Sequence, residues 1–70
     1  MTLDMAKRGS EMEILSIADP HSRSMLMRMG ICEGSKVVCH EKLPLGPVVL
    51  RSKRQEIAVG RQLAKRITVR

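Results

Sequence analysis

The chain has 70 residues, 13 Lys and Arg against 7 Asp and Glu, a formal charge of +6, and no Phe, Tyr or Trp. That length supports one domain whose core supplies only about 3–5 kcal/mol unaided. Without rings there is no base-stacking platform of the kind that single-stranded and RNA-binding modules use. No stretch approaches the roughly 18 apolar residues of a membrane span.

A basic balance favours acidic partners: duplex nucleic acid through its phosphates, anionic lipid, or an acidic protein face. No helix-turn-helix or zinc-finger spacing accompanies the charge. The opening MTLDMAKRGS lacks the apolar run of a signal peptide, and two cysteines suit a reducing compartment. The expectation is a cytoplasmic protein with no direct membrane insertion, whose core is Ile, Leu, Val, Ala and some of the six Met.

In chain order, residues 1–10 show no apolar period and read as a flexible lead-in to a single domain over 11–70. EMEILSI, residues 11–17, alternates Met12 and Ile14 with Glu11 and Glu13, which predicts a strand. ADPHSRSMLMRMG, residues 18–30, has Asp19 for an N-cap, Pro20 for the first helical position and Gly30 for a left-handed C-cap. Met25, Leu26 and Met29 make its expected core face, with Ser22, Arg23 and Arg28 toward water. Met27 points elsewhere and is a candidate contact residue. After a Glu-Gly-Ser turn, strands are expected over 36–43 and 47–51, joined through Pro44-Leu45-Gly46. A polar SKRQ turn leads to a strand over 56–60, one helical turn over 61–66, and a last strand over 67–70. Five short strands with turns between them predict a mainly β, small five-stranded barrel, with a short helix after the first strand and a helical turn before the last.

Little of this carries catalytic chemistry. There is no Ser/His/Asp order, no cysteine with a plausible base beside it and no phosphate-cradling glycine loop. The candidate metal ligands are His21, Cys32, Cys39 and His40. Cys39 and His40 are neighbours on a strand and face opposite ways, and Cys32 and Cys39 miss the spacing of a structural zinc pair. A weak, adventitious transition-metal site at His21 or His40 stays open; no cofactor is required. Arg51, Lys53 and Arg54 form one basic patch, read more readily as the solvated charges of a polar turn, and Arg61, Lys65 and Arg66 a second; neither is specific.

The hairpin tip asks for more explanation. Leu43 and Leu45 alternate with Pro44 and Gly46 where water normally selects polar residues. Pro44 stiffens the tip, so these leucines, with Met27, are candidate partner-docking residues. The bland reading is that Leu43 folds back over the barrel end.

A helix ending RMGI, then CEGSKV, the loop LPLGPVVL and a C-terminal IAVGRQLAKRITV together resemble the FeoA family, small cytosolic proteins of bacterial ferrous-iron uptake. The likeness runs from about Glu13 to Val69. It implies an SH3-like barrel with a helix after the first strand. It also implies a non-enzymatic role, acting on FeoB, the membrane ferrous-iron transporter with a cytosolic GTP-binding domain, to modulate uptake, with weak Fe²⁺ binding as an open expectation. Two loops depart from the family: Gly46 is followed directly by Pro47, where Gly-Asp-Pro is common, and the turn at 52–54 lacks its usual glycine. The rival readings are an SH3-like domain related to diphtheria-toxin-type metal-dependent repressors, against which the short stretch before residue 11 counts, and a basic nucleic-acid-binding barrel.

Overall fold

The computed structural model describes residues 1–70. Seven elements follow a 3-10 turn at Leu3–Met5: β1 (Glu11–Ile17), α1 (Pro20–Arg28), β2 (Lys36–Lys42), β3 (Val48–Ser52), β4 (Gln55–Val59), α2 (Arg61–Ala64) and β5 (Ile67–Val69). The strands form one antiparallel sheet in the order β4-β3-β2-β1-β5. No ladder joins β4 to β5, so the sheet is curled and open there, an arrangement compatible with the SH3-like barrel.

Alternation builds the core. Met12, Ile14 and Ile17 of β1, Val37 and Cys39 of β2, Val48 and Leu50 of β3, Ile57 and Val59 of β4, and Ile67 and Val69 of β5 all turn into one aliphatic cluster. The register slips between Cys39 and Glu41 where β2 meets β3, and between Ile14 and Ser16 where β1 meets β5. Such slips bend strands and strengthen their twist, which helps a sheet this small to curl.

The expected strand ends differ by about a residue. β3 runs on to Ser52 and β4 starts at Gln55, because the ladder continues until Ser52 faces Gln55. Only Lys53 and Arg54 remain for the turn. With no glycine available, Lys53 takes the left-handed conformation itself, at φ 58°.

The helix ends are as the sequence predicts. The Asp19 carboxylate accepts from the His21 N–H at 3.4 Å and from the Ser22 hydroxyl at 2.6 Å. At the other end Gly30 adopts φ 86°, its N–H reaches the Met27 carbonyl, and the Ile31 N–H reaches the Leu26 carbonyl. This is the Schellman closure, with Ile31 and Leu26 both buried beside it.

The helix face is narrower than expected. Ser22 and Leu26, four residues apart, are the buried pair, whereas Met25 and Met29 stay 40% and 39% exposed. A nine-residue helix lying on one strand covers a stripe only one side chain wide, so both methionines flank the contact. Ser22 turns inward because its hydroxyl serves the cap. Arg23 does not simply face water either: its guanidinium donates to the Ile17 carbonyl at 3.2 Å.

The larger correction concerns residues 1–10. They are no loose lead-in: Leu3 and Ala6 are fully buried, Thr2 bridges Thr68, and the Val69 N–H donates to the Met1 carbonyl at 2.8 Å. The segment lies along the outer edge of β5, whose backbone would otherwise be unpaired. Three residues in a 3-10 turn leave no period for sequence reading to detect.

Two outcomes follow from this packing. Leu3→Ala should cost about 2–5 kcal/mol, read as a lower denaturant midpoint at unchanged slope; a loss within about 0.5 kcal/mol would mean the segment is not core. Asp19 sits below its ordinary pKa of 3.8: the Ser22 hydroxyl bond is the largest cause, desolvation opposes it next, and the His21 and Ser22 N–H groups and the Arg66 charge add to the lowering. Its contribution is therefore complete above that value and fades as pH falls through the lower folded-state value. Asp19→Ala should lower thermal stability at neutral pH, whereas Asp19→Asn, which still caps, should keep most of it and flatten the acid limb.

Candidate functional site

The loop between β2 and β3 is a tight turn. The Gly46 N–H donates to the Leu43 carbonyl at 3.0 Å and the Leu43 N–H to the Pro47 carbonyl at 3.3 Å. Pro44 and Leu45 are its two central residues. Leu45 takes φ 57°, the left-handed value that glycine normally supplies after proline in a type II turn. For a leucine this costs about 1–2 kcal/mol. Its side chain contacts nothing in return, being 100% exposed. Leu43 is 47% exposed and leans over Gly46, where a Cβ would come within 3.0 Å of the Leu43 Cβ. A side chain at 46 would therefore crowd Leu43, which would have to shift by a few tenths of an ångström to admit it.

Arg61, the first residue of α2, holds this turn. Its Nε donates to the Gly46 carbonyl at 3.0 Å and its Nη2 to the Leu43 carbonyl at 2.5 Å. Arg61 is thereby set apart from the other two residues of its expected basic patch: it is half-buried and hydrogen-bonded to the loop, whereas Lys65 and Arg66 are exposed.

Met27 is 57% exposed but stands apart from the leucines. The C-terminal end of α1 lies against the β3–β4 turn, where Arg28, Met29 and Gly30 face Ser52, Lys53, Arg54 and Gln55 across a shallow cleft of about 490 Å³. The Gln55 amide donates to the Met29 carbonyl there. The leucine turn is at the other end of β3, whose five residues span roughly 13 Å. Leu43 and Leu45 form one tip, and Met27 belongs to a different end of the molecule. Lys53 and Arg54 sit at the cleft, and Arg51 is exposed on β3 opposite Glu56.

The four candidate metal ligands do not meet. Cys39 is fully buried, and burial pushes its thiol pKa up. His40, at the irregularity in β2, turns outward, and its Nε2 lies 3.2 Å from Glu56 Oε2. Cys32 is exposed in the turn after α1, its sulfur 3.6 Å from the Ser35 hydroxyl. His21 is exposed in the first turn of α1. No three His, Cys, Asp or Glu side chains converge. No helix is long and apolar enough to cross a membrane.

Comparison with known proteins bears on the rest. The FeoA domain model matches residues 1–70. The chain belongs to the FeoA family. It is similar to the solution structure of the FeoA protein from Chlorobium tepidum, at 32% identity and TM-score 0.88 over 99% of this chain and 68% of that one. It is also similar to the crystal structure of an iron uptake regulatory protein, FeoA, at 28% identity and TM-score 0.87 over 99% and 92% of the two chains. A FeoA-like protein from Clostridium acetobutylicum aligns at 25% identity and TM-score 0.84 over 100% and 84%. No curated protein matches the chain.

FeoA membership carries an accessory role in ferrous-iron uptake, and neither the family nor the fold is that of a known enzyme. Within this FeoA chain, sequence reasoning picked out the exposed leucine tip but missed what holds it. Arg61 is 15 and 18 residues from its two acceptors, a separation with no local pattern. The only hint was an arginine directly after the glycine that follows β4.

Because Leu45 buries nothing and strains its own backbone, Leu45→Asn should leave stability unchanged or raise it by up to about 1 kcal/mol, asparagine being the non-glycine residue most at ease with left-handed φ. Chemical denaturation checks this. A loss of more than about 1 kcal/mol would show that the leucine packs in solution.

Proposed function

We propose that this FeoA chain is a non-enzymatic accessory of ferrous-iron uptake that docks on the cytosolic part of an FeoB-type transporter through its leucine turn and so modulates transport. The observation that carries the reading is Leu45: fully exposed, strained at φ 57°, and held in place by Arg61. A leucine in that state lowers the stability of the free chain, so its use is best sought in a complex. Leu45 entering an apolar slot on a partner, with Leu43 beside it, would gain about 1.5–3 kcal/mol per side chain fully buried. A rigid tip also loses little conformational entropy on binding. The site needs no cofactor, and any Fe²⁺ contact at His21 or His40 is incidental to it.

The test is an NMR titration of the labelled chain with the cytosolic part of the cognate transporter. Expected are shifts confined to residues 43–47 and their contacts. Leu45→Ser should weaken affinity by about 10- to 100-fold, the equivalent of burying one leucine, with the fold intact. Equal affinity for the variant would refute this assignment. Duplex DNA is the control for the nucleic-acid reading: salt-sensitive shifts at Arg51, Lys53 and Arg54, without any transporter response, would favour that reading.

A further inference from the structure

The docking reading leaves unexplained why an arginine is committed to two neutral carbonyls in a chain with 13 basic side chains. Arg61 makes no ion pair; the three in the structure are Arg8–Glu41, His40–Glu56 and Arg70–Glu13. Its guanidinium instead reaches the first and last residues of the turn, Leu43 and Gly46, through two different nitrogens. The planar fork of a guanidinium fixes the separation and the plane of two acceptors at once, which an ammonium cannot do.

The placement follows from the sheet. Val59, the last residue of β4, pairs with Val48, the first of β3. The chain then turns at Gly60 into α2, which sets Arg61 beside the base of the loop that precedes Val48. Within the loop only two backbone hydrogen bonds act, and Leu43 N–H to Pro47 is the longer at 3.3 Å. Arg61 doubles that number by bonding the carbonyls at both ends of the turn.

We propose that Arg61 is the positioning residue of the leucine turn: it clamps both ends so that Leu45 is presented in one strained, outward conformation ready for its partner. This rests on the docking reading above. Gly46 complements the clamp, since its lack of a Cβ leaves room for Leu43, whose Cβ would stand 3.0 Å from one built there.

The experiment has an intramolecular arm and a binding arm. In the free chain, Arg61→Ala and Arg61→Lys should drop the ¹⁵N order parameters of Leu45 and Gly46 from about 0.85 to below about 0.6, with β1 to β4 unchanged. Unchanged order parameters would overturn the clamp, whatever the partner does. In the binding arm, with the cytosolic part of an FeoB-type transporter as probe, Arg61→Ala should weaken affinity about tenfold with Leu45 present and have no effect in a Leu45→Ser background. An equal, salt-sensitive loss in both backgrounds would overturn positioning and make Arg61 a direct charge contact. If Leu45→Ser alone leaves binding intact while Arg61→Ala loosens the turn, the docking reading fails and the clamp survives only as a loop brace.

Discussion

One aliphatic cluster takes the alternate residues of all five strands, together with Leu3, Ala6, Leu26, Ile31 and Ala64 from the segments between. With no Phe, Tyr or Trp in the chain, this cluster must be filled by many small pieces, each worth little alone. Everything else is arranged around that need. The register slips in β2 and β1 bend the sheet around the cluster, α1 lends a single leucine, and the N-terminal turn supplies Leu3 along β5. A larger protein could leave such a segment free; a domain of this size has no core to spare.

The same economy makes the loop tip stand out. A chain that draws Ser22 inward to complete a cap, and recruits its first residues to finish a sheet edge, leaves Leu45 wholly in water in a backbone conformation that works against it. Arg61 adds to the contrast. It places two of its hydrogen bonds on the turn that carries that conformation. Local rules and global fold agree nearly everywhere in the molecule, and the place where they part is where function is best sought.

Much of this was legible in the sequence, and for physical reasons. β1 showed itself through Met12 and Ile14 between two glutamates, and α1 through Asp19, Pro20 and Gly30, because alternation and capping are local. The hairpin tip was visible because leucine is the wrong residue for a loop. What sequence could not supply were relations between distant residues: Thr2 beside Thr68, Arg61 reaching Leu43 and Gly46, and Met27 carried to the far end of β3 from the leucines with which it was grouped. Met25 and Met29 went astray for another reason. Helical spacing tells which residues share a side, and it does not tell how wide a stripe the neighbouring strand will cover.

The two cysteines live in different chemical worlds. Cys39 is sealed among aliphatic side chains with its thiol held protonated, and Cys32 stands in water. The thiolate is the reactive form, so oxidants and alkylating reagents meet one sulfur and not the other while the fold is closed. The interior thiol is shielded from solvent where the surface thiol is not. Oxidative damage to the folded chain therefore begins at its surface, at Cys32 and the exposed methionines, and spares the cluster on which the sheet depends.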